Sequence, residues 1–237
     1  MDRKEERVFA GTTIVRKAVR SARLQVQPDG TLRVVAPASF NVEEFLQRNV
    51  AWIEEQRAKY DRLATAGCGK EDHLLLHGEF YRVLPGAGFA IDETSGCVTF
   101  PSISILKRNL THMLREEVND RLRGYPDLVR RGSGRIAIKL QKTRWGSCSS
   151  LGNLNINLRI IALPETLREY IVIHEAAHLR EQNHSARFWQ LVETHYPEHR
   201  AAEAELRRYW VILERNSVWR SLQDRGPRSP STGGGGS

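Results

Sequence analysis

Cysteine is scarce: Cys68, Cys97 and Cys148 are the three in a chain of 237 residues. The number is odd and no C-x-x-C pair occurs, which argues against a disulfide framework and for a reducing compartment. No uninterrupted apolar run approaches the length of a membrane span. Residues 1–7 are charged, and no apolar core of signal-peptide length follows them. These absences predict a soluble, cytoplasmic protein without a membrane partner. Internal repeats are missing too. Residues 226–237 are rich in Gly, Pro and Ser and end in Gly-Gly-Gly-Gly-Ser. They read as a disordered tail with the composition of an expression linker and are set aside from the fold.

What is present suits one large or two small domains. Hydrophobic residues make up 40%, enough for a core without covalent staples, and charged residues 27%. The formal net charge is +8, from 36 Lys+Arg against 28 Asp+Glu. The excess is spread along the chain, so a basic solvated surface is the simpler reading. A nucleic-acid partner stays open, with Arg16, Lys17, Arg20 and Arg23 as its candidate face. No feature specifies an oligomeric state.

The pattern of elements predicts an α+β fold. An N-terminal β-rich region with a helix would occupy residues 1–105, and a helical domain with a small sheet residues 106–225. Leu24, Val26, Leu32 and Val34 alternate on either side of Pro28-Asp29-Gly30, a hairpin signal. Asn41 with Glu44 makes a capping box, and Phe40 with Phe45 a hydrophobic staple, for a helix over about 42–63. Trp52 and Ile53 continue its apolar face. Strands are expected at 74–76, 80–84 and 97–100, a connector at 101–105, a helix over 107–122 and a turn over 128–131. Ile136, Ile138 and Leu140 alternate as a strand, as do Leu154, Ile156 and Leu158, with a tight small-residue loop at 145–150 between them. Pro164 and Glu165 open a helix running to about residue 181. Ser185 caps the next one, and Pro197 opens a last long helix reaching about Trp219.

The chemistry lies in His174-Glu175-Ala176-Ala177-His178. Residues four apart on a helix share a face, so two imidazoles can reach one Zn²⁺. Glu175 is then placed to act on water rather than on the metal. Zinc lowers the pKa of such a water and the carboxylate takes its proton. A third ligand is needed, and His184 lies six residues after His178. A continuous helix would turn through about 600° over that interval and direct His184 away. The chain must therefore leave the helix between them, and Asn183 is a plausible terminator because Asn tolerates the left-handed conformation. The spacing matches H-E-x-x-H-x-x-G-x-x-H except that Glu181 stands where the glycine would be. The turn must be built differently. Three histidines and one open position describe a catalytic site with one zinc per chain.

Other residues are open to two readings. Arg144 and Trp145, in Arg144-Trp145-Gly146-Ser147-Cys148-Ser149, could edge the site and polarise a substrate carbonyl in the manner of an oxyanion hole, or form a packed turn. Cys148 as a fourth ligand would close the site, so a small buried hydrophobe is the better reading. Phe188 and Trp189 could wall the pocket but read first as core. His195 and His199 read as surface residues. Glu193, Glu203 and Glu205 are rival third ligands to His184.

Lys142-Thr143-Arg144-Trp145-Gly146-Ser147-Cys148-Ser149, the Asn155–Leu158 strand, Pro164, His174 to His178, and Asn183-His184-Ser185 through Phe188-Trp189 together resemble the YgjP-like metallopeptidase family, a relative of the SprT-like zinc proteases. Upstream, Arg20-Ser21-Ala22-Arg23, Pro28-Asp29-Gly30, Ala36-Pro37 and Ala51-Trp52-Ile53 continue the likeness, which covers about residues 12–206. The resemblance implies a β-rich N-terminal part, a zincin-like C-terminal part, zinc on His174, His178 and His184, and a catalytic Glu175. Ala176 departs from the leucine frequent in relatives, which touches packing behind the helix rather than ligation. SprT-like relatives act on DNA-bound proteins, a property that analogy alone does not transfer.

The expected function is a zinc metallopeptidase that hydrolyses protein or peptide substrates through a metal-activated water with Glu175 as general base. The rival is a non-catalytic zinc-containing module that binds nucleic acid or protein through its basic surface. The ligand set also suits hydrolysis of a non-peptide amide.

Overall fold

The computed structural model describes residues 11–129 and 134–223. The predicted tail at 226–237, and the part of the 128–131 turn beyond residue 129, lie outside them. The fold is α+β, with seven α-helices and three small sheets among the described residues. No described helix is long and apolar enough to cross a membrane. The chain divides into two compact units, one of Met1–Gly69 with Glu205–Arg215 and one of Lys70–Ala204 with Asn216–Ser237.

In the first unit, β2 (Arg23–Val26) and β3 (Leu32–Ala36) form the expected antiparallel hairpin, and β1 (Thr12–Arg16) adds to β3 in parallel. Gly30 takes φ +85° at the turn, where a side chain would be strained. Alternation sends Leu32, Val34 and Ala36 to one face, where they pack with Val26, Val42, Leu46 and Ile53. Arg16 is a clamp, donating to the carbonyls of Pro37 (2.7 Å) and Phe40 (2.8 Å), while Lys17, Arg20 and Arg23 are exposed.

The single helix expected over 42–63 is two, α1 (Val42–Arg48) and α2 (Val50–Ala64). Asn49 divides them, its side chain donating to the Phe45 carbonyl at 2.7 Å. The Asn41 side chain caps Glu44 N–H as expected, but Glu44 pairs with Arg48 rather than closing the box. Phe40 and Phe45 meet edge to face at 5.3 Å, the predicted staple. Ile53 is buried whereas Trp52 is 41% exposed, so the apolar face narrows to one of the two.

The second unit holds two sheets. One has the order β4 (Leu74–Leu76), β5 (Glu79–Pro85), β7 (Cys97–Phe100), β6 (Ala90–Asp92). At the β4–β5 turn, His77 and Gly78 donate their N–H groups to Ile161 and Ala162, fixing the single turn of 3₁₀ helix (Leu158–Ala162) that leads into the site. Helix α3 (Ile103–Arg123) starts earlier than expected because Ser102 caps it through Ile105 N–H. Its buried stripe is Leu106, Leu110, Leu114, Val118 and Leu122, the four-residue spacing of one helical face. The other sheet has the order β8 (Ile136–Lys139), β10 (Leu154–Asn157), β9 (Gly146–Cys148), with β8 parallel and β9 antiparallel to β10. Residues 146–148, expected as loop, thus form an edge strand.

Helices α4 (Glu165–Ala177), α5 (Ala186–His195), α6 (His199–Arg215) and α7 (Ser217–Ser221) complete the chain. The predicted last helix is interrupted at Asn216, which is buried, donates to the His73 carbonyl at 2.7 Å and caps Trp219 N–H. Between α3 and α4 runs a partly buried ionic network. Glu117 accepts from Arg168 (2.5 Å) and Arg121 (2.9 Å), and Arg168 also donates to the Leu163 carbonyl. Burial works to raise the Glu117 carboxyl, but the two guanidiniums outweigh it and hold it below its ordinary value. Glu117→Gln strands the buried Arg168 and is expected to lower the unfolding free energy by about 3 kcal/mol in urea denaturation at neutral pH. Because the folded carboxyl is the stronger acid, wild type loses this contribution as pH falls through the acid range. The deficit of the variant should shrink over the same interval.

Candidate metal centre

Helix α4 is buried over most of its length, from Leu167 to Ala177, and packs against α3, α5 and β9. It carries His174 and Glu175 in its last turn and ends at Ala177, with His178 as its C-cap. The helix was expected to continue to about residue 181. Instead Leu179, Arg180 and Glu181 donate their N–H groups to Ala176 and Ala177 in a tightening turn. The chain then reverses, and Ser185 caps α5 by accepting from Phe188 N–H. Asn183 is not in the left-handed region, since His77 is the single positive-φ non-glycine among the described residues. The reversal is made without a glycine and without strain.

This turn brings the three histidines together. One ring nitrogen from each of His174, His178 and His184 lies within 4.8 Å of the others. His174 Nε2 and His184 Nε2 are 3.2 Å apart. For Zn–N bonds of about 2.0–2.1 Å, a tetrahedral edge is about 3.3 Å. His178 Nδ1 faces the Glu181 carbonyl at 3.1 Å. A neutral imidazole there donates its Nδ1–H and leaves Nε2 bare. Burial, helped by the neighbouring imidazoles, pushes His174 down to about 3, and burial lowers His178 as well. Both rings are therefore neutral near physiological pH, the form a metal needs. In donor chemistry and spacing the set fits a divalent ion of zinc type.

Glu175 is 6% exposed, and its Oε2 has no hydrogen-bond partner. Burial pushes its pKa up to about 8 against the opposing charge of Arg144. A buried carboxylate oxygen left unmatched is costly in a structural role and is a mark of functional sites. The edge strand runs directly across it. A Cβ placed on Gly146 would lie 2.5 Å from Glu175 Oε1, so only glycine lets β9 approach this closely. Arg144 is exposed, and Trp145 leads into the strand. Their carbonyls are held by fully buried Asn157, through its side chain to Arg144 (2.7 Å) and its backbone N–H to Trp145 (2.8 Å).

Aromatic rings surround the cluster. Phe188 is fully buried and stacks on His178 at 4.4 Å and 26°, and Trp189 stacks on His184 at 5.7 Å and 26°. Phe188 is thus both core and wall. His199, expected at the surface, is buried and also stacks on Trp189, at 5.2 Å. His195 pairs with Asp127 at 2.9 Å. Cys148 is not in the histidine group, and burial, with the charge of Glu175, raises its thiol. Of the rival carboxylates, Glu193 is exposed, Glu205 pairs with Arg208, and Glu203 accepts from Tyr170 behind His174. The sequence reading missed Tyr170, took Gly146 and Asn157 only as parts of a loop and a strand, and placed His199 at the surface. Tyr170 was findable, being four residues before His174 on the same helix face.

The YgjP-like metallopeptidase domain matches residues 20–209. A solved structure, the metallopeptidase zymogen of Pyrococcus abyssi abylysin, is 31% identical, with the match covering 42% of this chain and 97% of that one at a TM-score of 0.34. No curated protein matches the chain. With the family match extending over most of its length, the chain belongs to the YgjP-like metallopeptidase family, whose substrates are peptides or proteins.

Proposed function

We propose that this metallopeptidase uses one Zn²⁺ held by His174, His178 and His184, with Glu175 as its general base. The observation that carries this reading is the convergence of three imidazoles beside a buried carboxylate with an unmatched oxygen. Zinc supplies Lewis acidity, which makes water a usable nucleophile near neutral pH and polarises a carbonyl. Glu175 takes a proton from the attacking water and passes it to the leaving amine nitrogen as the peptide bond breaks. Burial favours the protonated carboxyl and Arg144 the carboxylate, so the group is poised to carry a proton in both directions. Among the described residues, strand β9 has a strand neighbour on one side alone, which suits an extended peptide laid along its other edge. Arg144 and Trp145, at the entrance to that strand, are the candidate contacts to the substrate carbonyl. The three unpaired cysteines support a cytoplasmic setting.

Three variants test the assignment against a peptide-library cleavage assay and metal analysis. Glu175→Gln should retain zinc and lose at least about 10²-fold in kcat/KM, the scale of a general base. His184→Ala should lose the bound zinc. Full cleavage by the first variant, or an unchanged metal content in the second, would overturn the corresponding role. Gly146→Ala must push the Glu175 carboxylate aside, and a displacement of about 1 Å costs about 10²-fold in rate. Zinc content should stay at the wild-type level in that variant.

A further inference from the structure

Tyr170 sits one turn before His174 on α4 and is 2% exposed. Its ring meets His174 edge to face at 5.8 Å and tilts against Tyr196 at 5.4 Å. Its hydroxyl has two polar neighbours: His174 Nδ1 at 3.4 Å and Glu203 Oε1 at 3.4 Å. Counting protons decides the direction of both contacts. A tyrosine hydroxyl keeps one proton at neutral pH, and an ionised carboxylate can only accept. The hydroxyl therefore donates to Glu203 and must accept from His174. That places the imidazole proton on Nδ1 and leaves the Nε2 lone pair facing His184 Nε2, 3.2 Å away.

We infer that Tyr170 and Glu203 form a hydrogen-bond relay that fixes the tautomer and ring orientation of His174, making both of them positioning residues for the metal centre. The inference rests on His174 being a metal ligand. Glu203 thereby has a use other than the third-ligand role its sequence position suggested. Without the carboxylate, the Tyr170 hydroxyl is free to turn its proton toward Nδ1. The imidazole proton is then driven to Nε2, the atom the metal needs bare. Partners behind a ligating histidine typically tune metal affinity by about 10–100-fold.

The test measures zinc affinity by competition with a chromophoric chelator for the full chain, Tyr170→Phe, Glu203→Ala, the double variant and His184→Ala. Melting of the zinc-free proteins is recorded alongside. Tyr170→Phe should weaken zinc by about 10–100-fold with little change in the melting of the zinc-free protein. Glu203→Ala should weaken it in the parent and add nothing once the hydroxyl is gone. The relay is refuted if Tyr170→Phe binds zinc like the parent, even if its melting falls, or if Glu203→Ala costs the same factor with and without the hydroxyl. Failure of the underlying ligand assignment looks different: the parent binds no zinc, or His184→Ala binds it unchanged, and the relay falls with it.

Discussion

Three imidazoles can share one cation only if each turns a bare nitrogen inward and keeps its proton elsewhere. On the proposed reading, the histidine group is organised around that requirement. His178 disposes of its proton on the Glu181 carbonyl, which is available because α4 stops at Ala177 and the chain turns back on itself. His174 faces Tyr170 and through it Glu203. His184 arrives from the far side of the reversal, where the Ser185 cap starts α5 and sets Phe188 and Trp189 against the rings. The early helix end, the turn and the cap together bring the three rings into one group.

The carboxylate beside them depends on a second arrangement. Asn157 is fully buried at the end of β10 and holds the carbonyls of Gln141, Arg144 and Trp145. That fixes the approach of β9, and Gly146 allows the strand to close over Glu175. Removal from water is what raises the proton affinity of Glu175, and it outweighs the opposing charge of Arg144.

Much of this was legible from local chemistry. The hairpin at Gly30, the Asn41 and Ser185 caps and the phenylalanine staple depend on residues a few positions apart, and they stand as expected. The histidine triad was legible because helix geometry leaves His184 no other route to the pair. What was hidden depended on distant partners. The split at Asn49 comes from a side chain bonding back to Phe45. Strand β9 is Gly-Ser-Cys, with no strand propensity of its own, and exists because β10 pairs with it. The end of α4 carries no glycine or proline to announce it. His199 is masked by Pro197 nearby, although His199, Ala202 and Leu206 make a buried stripe at helical spacing.

The proton acceptors behind His174 and His178 differ in kind. Behind His178 it is a main-chain carbonyl, which every amino acid at position 181 supplies equally. Nor does the reversal after α4 require a left-handed residue, so none of positions 179–183 demands a glycine. The exposed side chains of Arg180 and Asn183 therefore have no share in placing the His178 proton, which a main-chain atom receives.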